Sequence, residues 1–402
     1  FFQKNVLFGI DTRAQLLRIE GIFEGLQEGQ FPVIIDPNYC NEYGQLGVLY
    51  PNLFLYIPAL LRYFGISLEV SYRFFMILVN AMTVLIMFVS AKSLFHSSRW
   101  ALASALFYCL EPYHLYVMLE SGNGAGRGVA MAFLPMIFVG IYYIAIQNRK
   151  GWRWLAIGMW GIFSSHIIIT FLAVGFLFVF CICNIKKFIH KAALLDLIKA
   201  IGLFGVLSAG TLLPFADFYF TDWNRQALEW SGFYGLQVHA GDIIRTPYSL
   251  LTLLFLFLAG VLFIVAYRKK LICESYYLKL YIAAVLLYFM TTAAMPWRLL
   301  GRFHIMNDLL NMIQVGHRFQ TLISPIEAFL AGKLLQVFHH KKHTIYLYFL
   351  LGILLYCSLV CSYRIYFREG PLLPDAVTGN INSQFPEDYL PAGTKTEYYA
   401  TN

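Results

Sequence analysis

The sequence predicts an all-α protein, a polytopic bundle of transmembrane helices with interfacial helices in its first outer loop. Of its 402 residues, 59% are hydrophobic and only 13% are charged, against roughly 45–50% and about 25% in a typical soluble domain. Lys and Arg fall mainly in short loops between long apolar stretches, as in a chain that crosses a bilayer repeatedly. This composition excludes an ordinary soluble enzyme and a disordered tail.

The net charge of +8 would suggest a nucleic-acid partner in a soluble protein. Here the basic residues cluster between apolar segments, where they set topology, so we expect no nucleic-acid binding. Six of the seven cysteines lie in or beside apolar segments, and only Cys40 lies in a long polar loop. The cysteines therefore predict no disulfide framework.

Ten apolar segments are predicted to cross the membrane, within a helical domain over residues 70–366. They cover residues 70–91, 100–118, 129–147, 155–165, 167–183, 194–215, 250–267, 278–295, 320–338 and 345–366. The fourth and fifth are short and could form one long tilted helix. The basic loops fall on one side only if this pair goes out and returns, turning near Ser164, Ser165 and His166, so ten crossings are counted.

The distribution of basic loops predicts the sidedness of the chain. Residues 92–99, 149–153, 186–191, 268–270 and 341–342 are basic and are predicted to face the cytoplasm. The polar stretches 1–69, 119–128, 219–249 and 296–319, and the tail from residue 367, then face outside. Nearly all acidic residues lie on that outer side, so we expect the chemistry there.

The first external loop, residues 1–69, is predicted to contain two interfacial helices. One follows from the helical spacing of Leu16, Ile19, Ile22, Phe23 and Leu26, opposite the polar Arg18, Glu24, Gln27 and Glu28. The other covers the apolar residues 53–61. The polar, Pro-containing residues 367–402 predict an external linker that leads to a missing C-terminal region, and the start of the chain suggests a missing preceding membrane helix.

Asp11 is the best candidate for a catalytic general base. It follows the apolar run from Val6 to Ile10, at the boundary between membrane and water. A carboxylate there has raised basicity and can reach both a lipid-anchored substrate and water. The alternative, given equal weight, is that Asp11 only caps the helix that follows.

Glu111 is predicted to lie at membrane depth, in the sequence Glu-Pro-Tyr of the second span. Ionisable residues are costly there and are functional candidates, so Glu111 is assigned to substrate binding. Pairing with a neighbour such as His114 explains it equally well.

Gly122 to Gly128 form a glycine-rich stretch that contains Arg127 and precedes the third span. Free backbone amides at a helix start, joined by an arginine, suit a phosphate group. Glycines also mark any tight external turn, and the two interpretations carry equal weight.

The loop over residues 296–319 is rich in cations on the predicted outer side: Arg298, Arg302, His304, His317 and Arg318. Such an excess predicts an anionic partner, and a pyrophosphate or lipid phosphate fits. We assign Arg302 and Arg318 to phosphate binding and His317 to substrate binding. Pairing with protein carboxylates or anionic headgroups is the alternative.

The external loop after the sixth span carries aromatic and acidic residues, among them Asp222 and Trp223. Aromatic faces stack on sugar rings, so both residues are assigned to substrate binding, although aromatics also belong in interfacial belts. His339, His340 and His343 lie among lysines, which favours a solvated loop over a metal site. Motifs typical of an ATPase, a zinc protease or a serine hydrolase are absent from the sequence.

Several of these motifs also carry a family resemblance. They are Gly9-Ile10-Asp11, Arg18-Ile19-Glu20-Gly21, Gly29-Gln30-Phe31-Pro32, Tyr43-Gly44 and Leu53 to Leu61, with the weaker Arg127-Gly128, Leu134-Pro135, Ser165-His166 and Gly316-His317-Arg318-Phe319. The chain resembles bacterial YfhO-like and pyruvoyl-tetrahydropterin-synthase-related membrane proteins of the GT-C glycosyltransferase superfamily. The first-loop block is the specific part of this resemblance, which covers most of the chain.

The resemblance implies a transferase in the bacterial plasma membrane. It would move a sugar from a polyprenyl-phosphate carrier to an envelope polymer, lipid or protein, with Asp11 as base and Arg318 on the phosphate. A divalent cation, Mg²⁺ or Mn²⁺, bridging Asp11 and the phosphate is left open. Two departures are Gln15, where relatives commonly have His, and Met131 and Ala132, where they have an acid.

Two rival functions stay open at this point. A transporter or flippase of lipid-linked saccharides would use the same outer cations without making a bond, and its mark would be paired interrupted helices in two related halves. If the protein is instead a non-catalytic envelope scaffold, Asp11 and the arginines are not expected to converge on one outer cavity.

Overall fold

The chain is helical through almost all of the part that the computed structural model describes. That part comprises residues 6–7, 11–34, 50–120, 124–146, 150–220, 247–272 and 275–339, with 352, 355–356, 359–360 and 371–372. Val6–Leu7 (β1) pairs antiparallel with Pro371–Leu372 (β2). Apart from this two-residue pair, the regular structure of the described residues is helical, which confirms the predicted all-α class for them.

The helices follow one another with short connections. In chain order they are α1 (Thr12–Gln27), α2 (Tyr56–Tyr63), α3 (Leu68–Phe95), α4 (Ser98–Leu110), α5 (Pro112–Leu115), α6 (Val129–Ala145), α7 (Trp152–Phe163), α8 (Ile167–Cys183), α9 (Ile185–Phe188), α10 (Lys191–Phe220), α11 (Pro247–Arg268), α12 (Ser275–Thr291), α13 (Trp297–Leu300), α14 (His304–Ile313) and α15 (Gln320–Phe338). Turns of 3₁₀-helix cover Leu53–Leu55 and Gly316–Phe319, and π-helical turns cover Tyr116–Glu120 and Gly124–Gly128.

Five helical segments are long and apolar enough to cross a membrane. They are Leu68–Phe95, Gly124–Ala145, Lys191–Asp217, Tyr248–Arg268 and Gly316–Phe338, and each coincides with a predicted span. Ile167–Cys183 and Ser275–Thr291 are shorter apolar helices at two further predicted spans. The predicted tenth span, residues 345–366, lies almost wholly outside the described residues. These lengths and compositions support a membrane protein.

The predicted second span, residues 100–118, is not one straight helix. Helix α4 ends at Leu110, and Glu111 adopts an extended conformation with φ −69° and ψ 151°. The reason is Pro112, because a proline disfavours helical geometry in the residue before it. The chain resumes as α5 and then widens into a π-helical turn. The break places Glu111 at the start of a new helix.

Helices α6 and α15 form the centre of the bundle. Within their apolar windows 89% and 83% of the residues are buried, against 17% for α10. Helix α10 therefore lies at the periphery, where its apolar side chains face outward. Both central helices follow a tight turn that carries an arginine, and this arrangement brings Arg127 and Arg318 to the bundle interior.

Helices α6 and α7 pack closely because glycines line their contact. A Cβ on Gly140 would lie 2.6 Å from the backbone nitrogen of Leu155, and one on Gly158 would lie 2.9 Å from Cγ2 of Ile137. Small residues allow two helix backbones to approach in this way. The order of these contacts, 140 with 155 and 137 with 158, makes the two helices antiparallel.

Helices α7 and α8 are separate, as the charge distribution predicted. Ser164, Ser165 and His166 form the turn between them, and all three are buried. The rings of Phe138 and Phe176 lie 5.1 Å apart, which places the middle of α8 beside the middle of α6. Helix α8 therefore packs beside α6.

The first segment packs its two helices together. Arg62 of α2 forms an ion pair with Glu20 of α1 at 3.0 Å. The hydrogen bonds that Arg62 donates to the Glu20 carboxylate raise the pKa of its guanidinium. The backbone N–H of Val33 donates to the Tyr56 hydroxyl at 2.7 Å, which fixes the chain after α1. Residues 53–63 are helical, which confirms the helix predicted over residues 53–61.

Candidate functional site

Three arginines from distant parts of the sequence converge inside the described structure. Arg18 lies on α1, Arg127 lies in the π-helical turn before α6, and Arg318 lies in the 3₁₀ turn before α15. All three are within electrostatic range of the buried His166 ring, in the turn between α7 and α8. These residues define the cationic cluster.

Arg18 is held by a full set of hydrogen bonds. Its guanidinium donates to the Gln15 side chain at 2.8 Å, to the Asn52 side chain at 2.6 Å and to the Pro51 carbonyl at 2.8 Å. It also lies over the Tyr50 ring, 4.0 Å from the ring centre. Arg18 therefore fastens the segment around residues 50–52 to α1.

The burial of Arg18 corrects its predicted place on the polar face of α1, because only 3% of the residue is exposed. Gln15, at 2% exposure, is equally buried. On the helical wheel Gln15 falls within the apolar arc and Arg18 falls at its edge. The spacing thus contained a signal that this side of α1 packs against polar partners.

Arg127 is buried beside a tyrosine hydroxyl. Its Nη1 donates to Oη of Tyr113 at 3.5 Å, and Tyr113 in turn lies 3.2 Å from the Thr321 hydroxyl of α15. The glycine-rich stretch was predicted as a turn, but Gly124–Gly128 is π-helical. A Cβ on Gly124 would meet the terminal methyl group of the flexible Met76 side chain of α3, which would have to shift.

Arg318 keeps part of its guanidinium available for a ligand. Its Nη1 donates to the Ile313 carbonyl at 2.8 Å. Its Nε is buried and has no hydrogen-bond partner within the described part of the chain. A buried donor without a partner carries a desolvation cost, and an anion would remove it.

Asp11 belongs to the same site. It lies within electrostatic range of Arg127 and Arg318, and also of Tyr72 on α3. It occupies the position before the first turn of α1, where its carbonyl accepts from the Gln15 N–H at 3.1 Å. Its side chain makes no capping hydrogen bond. The capping alternative therefore does not account for the carboxylate.

His166 presents one defined face to the cluster. Its Nδ1 accepts from the Ile169 N–H at 3.4 Å, at the start of α8. A neutral imidazole that accepts at Nδ1 carries its proton at Nε2, so that this nitrogen is a donor. The Tyr50 ring lies edge-on to the imidazole, with the ring centres 5.5 Å apart.

Aromatic rings line the cluster beside His317. Its ring centre is 6.5 Å from that of Tyr113, 5.9 Å from that of Tyr116 and 6.4 Å from that of Tyr248. The rings of Tyr116 and Tyr248 are 4.6 Å apart. We call these three tyrosines the tyrosine wall. The sequence did not single them out, because tyrosines near membrane ends are common.

No protein-family model matches this chain, and no curated protein matches it. Among the described residues, the charged groups brought together are three arginines and one carboxylate, Asp11, which leaves a net excess of positive charge. Within the described residues, no group of three or more His, Cys, Asp or Glu could hold a metal ion. The arrangement suits an anion with several oxygens.

Two predicted residues lie apart from the cluster. Arg302 is exposed in the turn between α13 and α14, as are Arg298 and His304 nearby, so the cations of residues 296–319 do not form one group. The Glu111 carboxylate accepts from the backbone N–H groups of Tyr113 at 2.8 Å and His114 at 2.7 Å.

The other residues singled out from the sequence lie in helices α1 and α6 or outside the described part of the chain. Asp222 and Trp223 lie outside the described residues. Met131 and Ala132, where relatives of the resembled family have an acid, are fully buried in the packed helix α6. Gln15, where they commonly have a histidine, accepts a hydrogen bond from Arg18. Gln15 thus keeps a polar contact, whereas Met131 and Ala132 are apolar packing residues.

Proposed function

We propose that this protein is a membrane glycosyltransferase that transfers a sugar from a polyprenyl-phosphate carrier to a cell-envelope acceptor. The observation that carries the proposal is the convergence of Asp11, Arg127 and Arg318 from three separate segments. A base and a pair of anion-binding donors in one place are what a transfer from a phosphate leaving group requires.

The arginines would stabilise the departing lipid phosphate. Arg127 and Arg318 are close enough to interact with one another, so each destabilises the other until an anion lies between them. Charge-assisted hydrogen bonds from a guanidinium fork fit two phosphate oxygens. His166 would add a neutral donor through Nε2. Arg18, whose hydrogen bonds are made to protein groups, acts mainly as a structural clamp.

Asp11 would act as the general base. Its carboxylate would take the proton of the acceptor hydroxyl as the oxygen attacks the anomeric carbon, and the carbon–phosphate oxygen bond would break with its electron pair on the phosphate. One displacement inverts the anomeric centre. The nearby arginines favour the charged form of Asp11, which is the form a base requires.

The tyrosine wall would hold the sugar. Tyr116 and Tyr248 are partly exposed and offer ring faces and hydroxyls beside His317, next to the proposed phosphate position, and the buried Tyr113 supports them from behind. Apolar ring faces pack against the C–H faces of a sugar, while the hydroxyls supply hydrogen bonds. A divalent cation beside Asp11 would need ligands from the phosphate or from water, since within the described residues no group of three or more His, Cys, Asp or Glu could hold a metal ion.

The proposal places the site at the outer face of a bacterial plasma membrane, in a chain of ten crossings. Asp11, Arg127, His166 and Arg318 all come from segments that the positive-inside rule assigns to that side. Their convergence supports the assignment of these segments to one side, since segments on opposite sides of a bilayer could not meet. It also favours an enzyme over a non-catalytic scaffold.

Donor turnover by purified protein in liposomes tests the proposal. With a radiolabelled polyprenyl-phosphate sugar and an envelope acceptor, the wild type should release polyprenyl phosphate and glycosylate the acceptor. Movement of intact donor between leaflets without release of phosphate would instead support a flippase, and this second readout is taken in the same vesicles.

A further inference from the structure

A second polar group lies inside the bundle, apart from the cationic cluster. Glu111, at the start of α5, and Glu327, in the middle of α15, interact electrostatically and are 0% and 2% exposed. Both line a small cavity of about 10 Å³, whose other walls include Phe107 and Phe255. That volume is about the room of one water molecule.

The two carboxylates have unequal surroundings. Glu111 accepts from the backbone N–H groups of Tyr113 and His114 and from the Ser324 hydroxyl of α15. Oε1 of Glu327 is buried and has no hydrogen-bond partner among the described residues. Three donors stabilise the charged form of Glu111, whereas an oxygen left bare in an apolar surrounding disfavours the charged form of Glu327.

Further buried polar atoms around the pair also lack partners in the described structure. Both ring nitrogens of His114 and both side-chain amide atoms of Gln320 are without hydrogen bonds. His114 follows Glu111 by three residues, and Gln320 lies on the same face of α15 as Ser324 and Glu327 by its spacing of four and seven. The two helices that carry the pair thus hold further buried polar atoms that have no protein partner among the described residues.

Among the described residues, the titratable groups near the pair are one histidine and two tyrosines. They are Tyr108 of α4 beside Glu111, His114 of α5, and Tyr288 of α12 beside Glu327. From α11 the pair meets only the hydroxyl of Thr252 among polar groups at the cavity. Among the described residues, no lysine or arginine forms an ion pair with either carboxylate.

We propose that Glu111 and Glu327 form a proton-binding site in the interior of the bundle, with the proton held on Glu327 and Glu111 as its charged partner. Two carboxylates that interact in an apolar interior cannot both be ionised without a compensating cation. The single bound proton removes one charge and supplies the donor that the pair lacks. This site does not depend on the proposed sugar transfer.

Labelling with dicyclohexylcarbodiimide tests the site, because this apolar reagent reacts with protonated carboxyls that it reaches from the lipid phase. The protein is reconstituted in lipid nanodiscs, labelled over a range of pH and digested for mass spectrometry. We expect the label on Glu327, falling roughly tenfold per pH unit once the site loses its proton, as a single group titrates. Exposed Glu28 should react with a water-soluble carbodiimide instead.

Variants distinguish a coupled pair from an isolated carboxyl. In Glu111→Gln the neighbouring charge is gone, so Glu327 should lose its label at a lower pH than in wild type. In Glu327→Gln, which removes no hydrogen bond seen in the described structure, Glu111 should gain little label. Glu28→Gln should leave the Glu327 profile unchanged. Thermal unfolding of each variant identifies any that does not fold.

Three results would overturn the proton assignment. The first is a folded wild type in which Glu327 is unlabelled at every pH. The second is a labelling profile of Glu327 that is the same in wild type and Glu111→Gln. The third is protection of Glu327 by Na⁺ at constant pH without any dependence on pH, which would identify a cation site.

Discussion

The guanidinium of Arg18 lies 4.0 Å from the centre of the Tyr50 ring, and its hydrogen bonds reach the side chain and carbonyls of residues 50–52. Tyr50 in turn contacts the ring of His166. One buried side chain on α1 therefore joins the first segment to the turn between α7 and α8. The stability of the cationic cluster should depend on this clamp.

Arg18→Ala is expected to destabilise the fold, since it leaves the buried acceptors on residues 50–52 without their donor. Each unsatisfied buried group costs about 1–3 kcal/mol. Arg18→Lys should recover only part of the loss, because an ammonium cannot reproduce the planar fork. Chemical unfolding in detergent measures the effect. Arg302→Ala is the control, and an equal loss from that exposed arginine would contradict the role of Arg18.

The fold was largely predictable because apolar periodicity and charge determine which segments enter a membrane. The five long helices coincide with predicted spans, and the turn at Ser164 to His166 followed from the basic loops. The break at Glu111 was missed, although Pro112 in the printed sequence is its cause. A count of apolar residues does not register a single proline, so the second span was taken as continuous.

The site was predictable only in part. Asp11, Arg127, His317 and Arg318 were found because charges beside apolar segments are conspicuous. Arg18 was missed because a helical arginine is usually solvated. The tyrosine wall and the Glu111–Glu327 pair depend on contacts between segments more than 100 residues apart in sequence, such as Glu111 with Ser324. Local spacing carries no information on such contacts.

Gly140→Ala should destabilise the packing of α6 on α7. The added methyl group would meet backbone atoms of Leu155 at 2.6 Å and 2.9 Å, which cannot move without displacing the helix. Overpacking of this kind typically costs about 1–3 kcal/mol. Gly175→Ala on α8 is a matched control, since its methyl group meets nothing within 4 Å. Thermal unfolding of the two variants should differ, and equal stability would contradict the close packing.

The predicted sidedness can be tested with single cysteines in a cysteine-free background. Gln27→Cys, at the exposed end of α1, should react with a membrane-impermeant maleimide in intact cells. Lys187→Cys, in the exposed basic segment after α8, should react only after the membrane is made permeable. Labelling of Lys187→Cys but not of Gln27→Cys in intact cells would contradict the predicted sidedness and show that the topology is inverted.

Arg318 variants test the proposed phosphate site. Arg318→Ala should weaken binding of a polyprenyl phosphate roughly 10-fold to 100-fold, the range for loss of a charge-assisted hydrogen bond of about 1.5–3 kcal/mol. The affinity of Arg318→Lys should lie between those of Arg318→Ala and wild type, because lysine keeps the charge but lacks the planar guanidinium fork. Microscale thermophoresis in detergent provides the affinities.

Lys269→Ala is the matched control for this series, an exposed basic residue just after α11 on the predicted cytoplasmic side. It should bind the lipid phosphate as wild type does. Equal, small losses from Arg318→Ala and Lys269→Ala would identify the arginines of the cluster as structural partners and exclude a phosphate site there.

The most direct test of the central claim is the rate of sugar transfer by Asp11→Asn, measured together with its affinity for the polyprenyl-phosphate sugar. Asparagine keeps the volume of the side chain and removes its ability to accept a proton. A positioned base contributes about 10²–10⁴-fold in rate. The account predicts a loss of that size with donor affinity within a few-fold of wild type, whereas transfer at nearly the wild-type rate in a folded Asp11→Asn variant would contradict it.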